Sequence, residues 1–147
     1  MLSKKCQYAL HALKYIANQS SDSLVTIKEI AEGENIPKKF LEAILADLKL
    51  GGILASKQGK FGGYYLNRDP KKISILEVIR KIDGAVAMLP CVSLNFYSSC
   101  GRCDDEETCK IKEIFSKVRD ETLKVLSKTT VKDLIAQPDI IKMKIVG

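Results

Sequence analysis

The sequence predicts a mainly α fold with one small β-hairpin, a winged helix-turn-helix extended by a long dimerisation helix. Three observations carry this. Apolar residues recur at helical spacing through three successive N-terminal segments. The period then switches after Gly51-Gly52 to two short strand-like runs around a glycine-rich loop. A long amphipathic stretch follows a cysteine-rich loop. Two short helices joined by a tight turn and followed by a two-stranded wing make a winged helix-turn-helix.

The first helix is expected from Ser3 to about Gln19, with Tyr8, Ala9, Ala12, Leu13, Ile16 and Ala17 at helical spacing. Thr26-Ile27-Lys28-Glu29 is a capping box opening a short helix to about Glu32. A tight connection through Gly33 and Asn35 leads to a third helix, with Pro37 at its first helical position. Leu41, Ile44, Leu45 and Leu48 form its apolar face, and Gly51-Gly52 ends it. Ile53–Lys57 and Tyr64–Leu66 read as paired strands around the hairpin Gln58–Gly63. Ser74-Ile75-Leu76-Glu77 is a second capping box, and its helix stops at Gly84. The longest helix is expected from about Asp105 to Ser127, striped by Ile111, Ile114, Val118 and Val125. A short helix from about Thr130 to Gln137 and a tail follow. The expected organisation is a DNA-binding domain over 1–84, a sensor loop over 85–104, dimerisation and short C-terminal helices over 105–137, and a tail over 138–147.

The chain's 147 residues suit one domain, or a small domain with an attached helical segment. No apolar run approaches the roughly 20 residues of a membrane span, so no membrane partner is expected. Met1-Leu2-Ser3-Lys4-Lys5 leads straight into a periodic helix with no apolar leader core, which points to the cytoplasm. Five cysteines, an odd number, point the same way and disfavour a disulfide scaffold. The net charge of +6 gives mild support for a polyanionic partner.

The position of the lysines says more than their number. With the apolar side of the Pro37–Leu50 helix turned to the core, Lys38, Lys39 and Glu42 project from its N-terminal turns. A recognition helix touches bases and phosphates there. Lysine suits phosphate and can reach guanine acceptors, and glutamate can accept from cytosine. An ordinary solvated helix face would carry similar charges. The wing favours DNA: Lys57 and Lys60 flank its tip, and Gly59 and Gly62 allow close backbone approach to a sugar-phosphate chain. The glycine-rich loop joins two strands and lacks Gly-Lys-Ser/Thr, which sets nucleotide binding aside.

Cys91, Cys100, Cys103 and Cys109 fall in one loop-like window. Thiolates crowded on a short loop converge at little entropic cost and suit a metal, an iron–sulfur cluster or a redox switch. Cys6, on the first helix, reads as a small buried apolar group, and His11 as a helix-face or core residue. The chain shows no cysteine–histidine pairing near the loop, no carboxylates clustered in a plausible cleft motif and no nucleotide fingerprint, so it is not expected to be an enzyme.

A further set of residues adds a resemblance: Tyr8-Ala9-Leu10, Ile30-Ala31, Ile36-Pro37, Leu41-Glu42, Leu48, Gly52-Ile53-Leu54, Ser56, Gly59, Gly62-Gly63-Tyr64, Leu66, Pro70 and Ile73-Ser74. In this order they resemble the IscR-type winged-helix transcription regulators, relatives of IscR, NsrR and CymR. The resemblance implies a homodimer on a pseudo-palindromic double-stranded DNA operator, bridged by the long helix. For some members it also implies a 2Fe–2S cluster in the loop after the wing. Cys103-x5-Cys109 matches the cluster-binding spacing, and Cys91 stands at the first-ligand position. The gap between Cys91 and Cys103 is longer than usual and holds Cys100, a candidate fourth ligand or a thiol that exchanges with Cys103. Lys112 occupies the position of the IscR-like histidine ligand, and Gln58 that of a common wing arginine, which leaves Lys57 and Lys60 to charge the wing. Zinc held by four thiolates, or a metal-free thiol switch or protein-partner sensor, stands beside the cluster as an alternative.

Overall fold

The computed structural model describes residues 1–135. Five α-helices and one antiparallel hairpin follow in the order α1 (Lys4–Ala17), α2 (Ile27–Glu34), α3 (Lys38–Leu50), β1 (Leu54–Lys57), β2 (Gly63–Leu66), α4 (Ile75–Ile82) and α5 (Lys110–Lys128). Single 3-10 turns lie at Pro70–Lys72, Pro90–Val92 and Val131–Leu134. The expected fold class is therefore present.

Each N-terminal element follows from local chemistry. Ser3 caps α1 by accepting the Cys6 N–H at 3.0 Å. The buried face of α1 is built from Cys6, Ala9, Ala12, Leu13 and Ile16, whose small members let α3 and α4 approach closely. The Thr26 box is complete: Thr26 Oγ1 accepts the Glu29 N–H at 3.2 Å, and the Thr26 N–H donates to Glu29 Oε2 at 2.7 Å. Gly33, expected in the following turn, lies inside α2. A Cβ there would fall 2.2 Å from the Tyr15 ring, so this glycine serves the close approach of α1 to α2. Asn35 makes the turn instead, at φ 51°.

Pro37 is the N-cap of α3 rather than its first helical residue, and provides no side-chain cap. Leu41, Ile44, Leu45 and Leu48 are fully buried, as their spacing requires. The helix ends in a Schellman motif: Ile53 N–H donates to Leu48 O and Gly52 N–H to Lys49 O, both at 3.0 Å, with Gly52 at φ 71°. Leu45→Ala should destabilise the chain by about 2–5 kcal/mol, whereas Leu50→Ala, at a site 83% exposed, should change stability by less than about 0.5 kcal/mol. Urea unfolding of both variants checks the facing of α3.

The hairpin pairs Leu54 with Leu66 and Lys57 with Gly63, and Val25 adds a third rung through two hydrogen bonds to Tyr64, of 2.8 and 2.9 Å. That rung fastens β2, one residue from its tip-side end, to the segment just before α2. Ser74 caps α4, but Glu77 does not complete the expected box; its carboxylate pairs with Arg68 across the turn.

α5 begins at Lys110, not near Asp105. Asp105 instead accepts the Glu107 N–H at 2.9 Å in a turn, and Cys109 caps the helix. The expected short helix after it is the 3-10 turn Val131–Leu134; Gln137 and the tail lie outside the described residues. Here the chain returns to the head. Val131 N–H donates to Ile73 O at 2.9 Å, Ile75 N–H to Thr129 O at 2.8 Å, and the Val131 side chain is fully buried in the core.

Candidate functional site

One groove brings together Lys38 and Glu42 of α3 with Lys57, Gly59 and Gly62 of the wing. Thr26 and Lys28 at the start of α2 line it too, and sequence reasoning missed both. The capping box located that turn along the chain, but which side of α3 it faces depends on how α2 packs. Lys39 and Lys60 are exposed outside the groove, Lys39 on the first turn of α3 and Lys60 at the wing tip. Among the described residues, none of Lys38, Lys39, Lys57 and Lys60 forms an ion pair, whereas Lys5 and Lys14 are held by Asp47 and Glu34 at 2.6 and 3.0 Å. Unpaired ammonium groups around one groove have their full charge available to phosphates.

The tip itself is narrow. Gly62 N–H donates to Gly59 O at 3.0 Å, closing it. Gly59 sits at φ 112°, and a Cβ on Gly62 would lie 2.2 Å from the Lys57 carbonyl oxygen. Both glycines are therefore required by the turn, whatever else approaches it.

The cysteine loop divides its thiols. Cys91 is buried on the Pro90–Val92 turn, Cys103 and Cys109 are half-buried, and Cys100 is exposed. Cys100 Sγ and Cys103 Sγ are 3.7 Å apart. Hydrogen bonding with Cys109 and then Cys100 pushes the Cys103 thiol up to about 12. The other two move the opposite way: the Arg102 backbone N–H lowers Cys100, and the Lys112 backbone N–H, 3.5 Å from Cys109 Sγ, lowers Cys109. The helix N-terminus thus favours the Cys109 thiolate.

A polar clamp fixes this loop to α5. Lys112 Nζ donates to Glu106 at 2.6 Å, and the Tyr97 hydroxyl reaches both Glu106 carboxylate oxygens at 2.8 and 2.9 Å. The Lys112 hydrogen bond, followed by those of Tyr97 and Ser99, holds the Glu106 carboxyl at about 2. Farther along α5, Arg119 Nη1 donates to Val92 O at 2.7 Å. Lys112, at the histidine position of the resemblance, is thus occupied in tying the loop down.

Cys100, Cys103 and Cys109 share one hydrogen-bonded neighbourhood, and their chemistry fits a thiolate-bound metal. Among the described residues, no three Cys, His, Asp or Glu side chains stand in a geometry that holds a metal ion. Cys6 is fully buried, and burial, then Asp83, pushes its thiol up to about 11. His11 Nδ1 lies 2.8 Å from Glu34, on an exposed helix face. Cys6 is thus a small buried apolar group and His11 a helix-face residue, the positions expected of them.

Among the described residues, no helix is long and apolar enough to cross a membrane. A family model described as Rrf2, an iron-dependent transcriptional regulator, matches residues 2–137. An rrf2-like HTH-type transcriptional regulator of Rhodobacter capsulatus is 41% identical over 139 residues, spanning 92% of this chain and 93% of that protein. NsrR of Bacillus licheniformis is 30% identical over 141 residues, spanning 96% of each. CymR, the global cysteine regulator of B. subtilis, has a solved structure that matches with a TM-score of 0.76 at 26% identity, covering 91% of this chain and 95% of that one.

Proposed function

Because the chain belongs to the Rrf2 family of transcriptional regulators, we propose that it acts as a cytoplasmic homodimer on a pseudo-palindromic DNA operator and senses iron–sulfur or redox status through its cysteine loop. The observation that carries the DNA reading is the groove between α2, α3 and the wing, which places Lys38 and Lys57, neither ion-paired among the described residues, beside Lys28. α3 enters the major groove, with Lys38 and Lys39 on phosphate or guanine and Glu42 biasing base choice. Lys28 and Thr26, one element earlier, meet the backbone alongside it. Lys57 and Lys60 follow the sugar-phosphate chain from the wing.

The sensor reading assigns Cys91, Cys103 and Cys109, with Cys100 as fourth, to a 2Fe–2S cluster. The group would supply a link sensitive to oxidant, nitric oxide and iron supply. The protein's own residues already make the loop a connector between α4 and α5. Arg119 holds Val92, and the Glu106–Lys112–Tyr97 clamp holds the stretch before Cys109. The loop's shape therefore bears on how the head sits on the bridge. Four-thiolate zinc is the nearest alternative, because it would use the same donors. A metal-free thiol switch is a second reading, favoured by the 3.7 Å approach of Cys100 and Cys103.

Lys38→Ala with Lys39→Ala should weaken binding to all sequences and lower the salt-dependence slope by about two units, near one for each phosphate left without its lysine. Glu42→Ala should change site preference more than affinity. Titrations at several salt concentrations measure both; an unchanged slope in the double lysine variant rejects α3 as the recognition helix.

A further inference from the structure

We propose that Phe61 is a wedge that the wing inserts between two stacked base pairs from the minor groove, a role that rests on the DNA-binding reading above. Phe61 is 86% exposed, the most exposed aromatic side chain among the described residues. The other exposed aromatic rings have neighbours: Phe40 lies edge-on to Tyr8, Tyr97 bonds Glu106, and Phe96 lies against Gly84. Among the described residues, the one ring contact of Phe61 is the Lys60 ammonium, 5.7 Å from its centroid. An apolar ring left in water at the end of a hairpin adds nothing to the core and forgoes the gain of burial.

The tip is built to present that ring. Gly59, Gly62 and Gly63 carry no side chains, so Lys60 and Phe61 are the side chains that project between Gly59 and Gly62 at the end of the turn. The Gly62-to-Gly59 hydrogen bond closes it, and Gly63 is pressed so closely on Val25 that a Cβ would fall 2.8 Å from the Val25 carbonyl oxygen. The ring is thus held on a slender, anchored support. A minor groove is about 6 Å wide, and a hairpin with bare flanks suits it better than a broad surface would.

Charge selects the same occupant. Lys57 and Lys60 flank the tip without ion pairs among the described residues, matching the phosphate ridges on either side of a groove. A single ring between two ammonium groups is a poor seat for a second copy of this +6 chain. The tip also lacks a guanidinium, since Gln58 stands before Gly59. Apolar wedges part base steps and kink the duplex, at lowest cost at flexible pyrimidine–purine steps. Phe61 would then favour operators with a TA or CA step where the tip lands.

The test uses the full chain and a duplex recovered from a random library by repeated selection on the wild type. Adenines beneath the wing are replaced, one at a time, by fluorescent 2-aminopurine, which brightens when a step unstacks. Wild-type binding should brighten one position. Phe61→Ala should abolish that signal and weaken binding about tenfold, leaving the salt slope unchanged because no charge is removed. Phe61→Leu should keep the signal and most of the affinity, and Lys60→Ala should keep the signal while lowering the slope by about one unit. A wild-type complex with no brightened step, or full affinity and signal in Phe61→Ala, overturns the wedge while leaving DNA binding intact. Failure of the library to yield any bound duplex overturns both.

Discussion

Replacing both Ile114 and Val118 with glutamate should convert a dimer into monomers and weaken operator binding by about a hundredfold or more. Ile111, Ile114 and Val125 are 57–62% exposed, and Val118 is 37% exposed. No residue of α5 is buried, although the helix is 19 residues long. Its Phe115 and Leu126 are half-buried, Arg119 reaches back to Val92, and Val118 borders a pocket with Leu2, Ile79 and Val86, so among the described residues Ile111, Ile114 and Val125 are the stripe members left open to water. The flank carrying Lys110, Glu113 and Lys117 is laced with ion pairs of 2.8 and 3.1 Å, which keeps that side in water. In the proposed homodimer a second α5 laid on the stripe would cover it symmetrically. Two carboxylates from each helix, four in all, would be buried at its centre without partners, which an interface between two helices cannot absorb. The operator effect follows because a linked second head binds at high effective concentration. Sedimentation reads the assembly and a mobility-shift titration the affinity. A wild-type monomer at micromolar concentration overturns the bridge.

Anaerobic reconstitution with iron and sulfide should give a coloured protein, and Cys103→Ala or Cys109→Ala should leave it colourless. Cys103 lies between two thiols that it hydrogen-bonds, so its removal takes away the centre of the set. Cys109 is fixed by the start of α5, where the Lys112 N–H favours its thiolate. Cys100→Ala should retain less iron than wild type while leaving DNA binding by the metal-free chain unchanged. Each thiol must lose its proton to bind metal, so uptake should release protons and strengthen as pH rises. Iron retained after Cys91→Ala or Cys109→Ala removes that residue from the ligand set. Stoichiometric zinc without iron favours the zinc reading.

What the sequence determined by itself is everything that a few contiguous residues settle. The Thr26–Glu29 box, the Leu41–Leu48 face, the glycine stop after α3 and the switch to strand period all depend on local hydrogen bonds and on one element's spacing. The wing glycines were legible for the same reason, whereas the start of α5 at the Cys109 cap, rather than near Asp105, was not. The tertiary structure decided which side chains from different elements meet. It drew Glu77 away from its cap to Arg68, placed Gly33 beneath Tyr15, and returned Val131 to the head core. It set Lys28 beside Lys38 and Lys57, buried Cys91 while leaving Cys100 in water, and gave Lys112 to Glu106. No local pattern encodes these neighbours. They follow from the relative placement of whole helices, which is fixed only when the shared core closes and its side chains interlock.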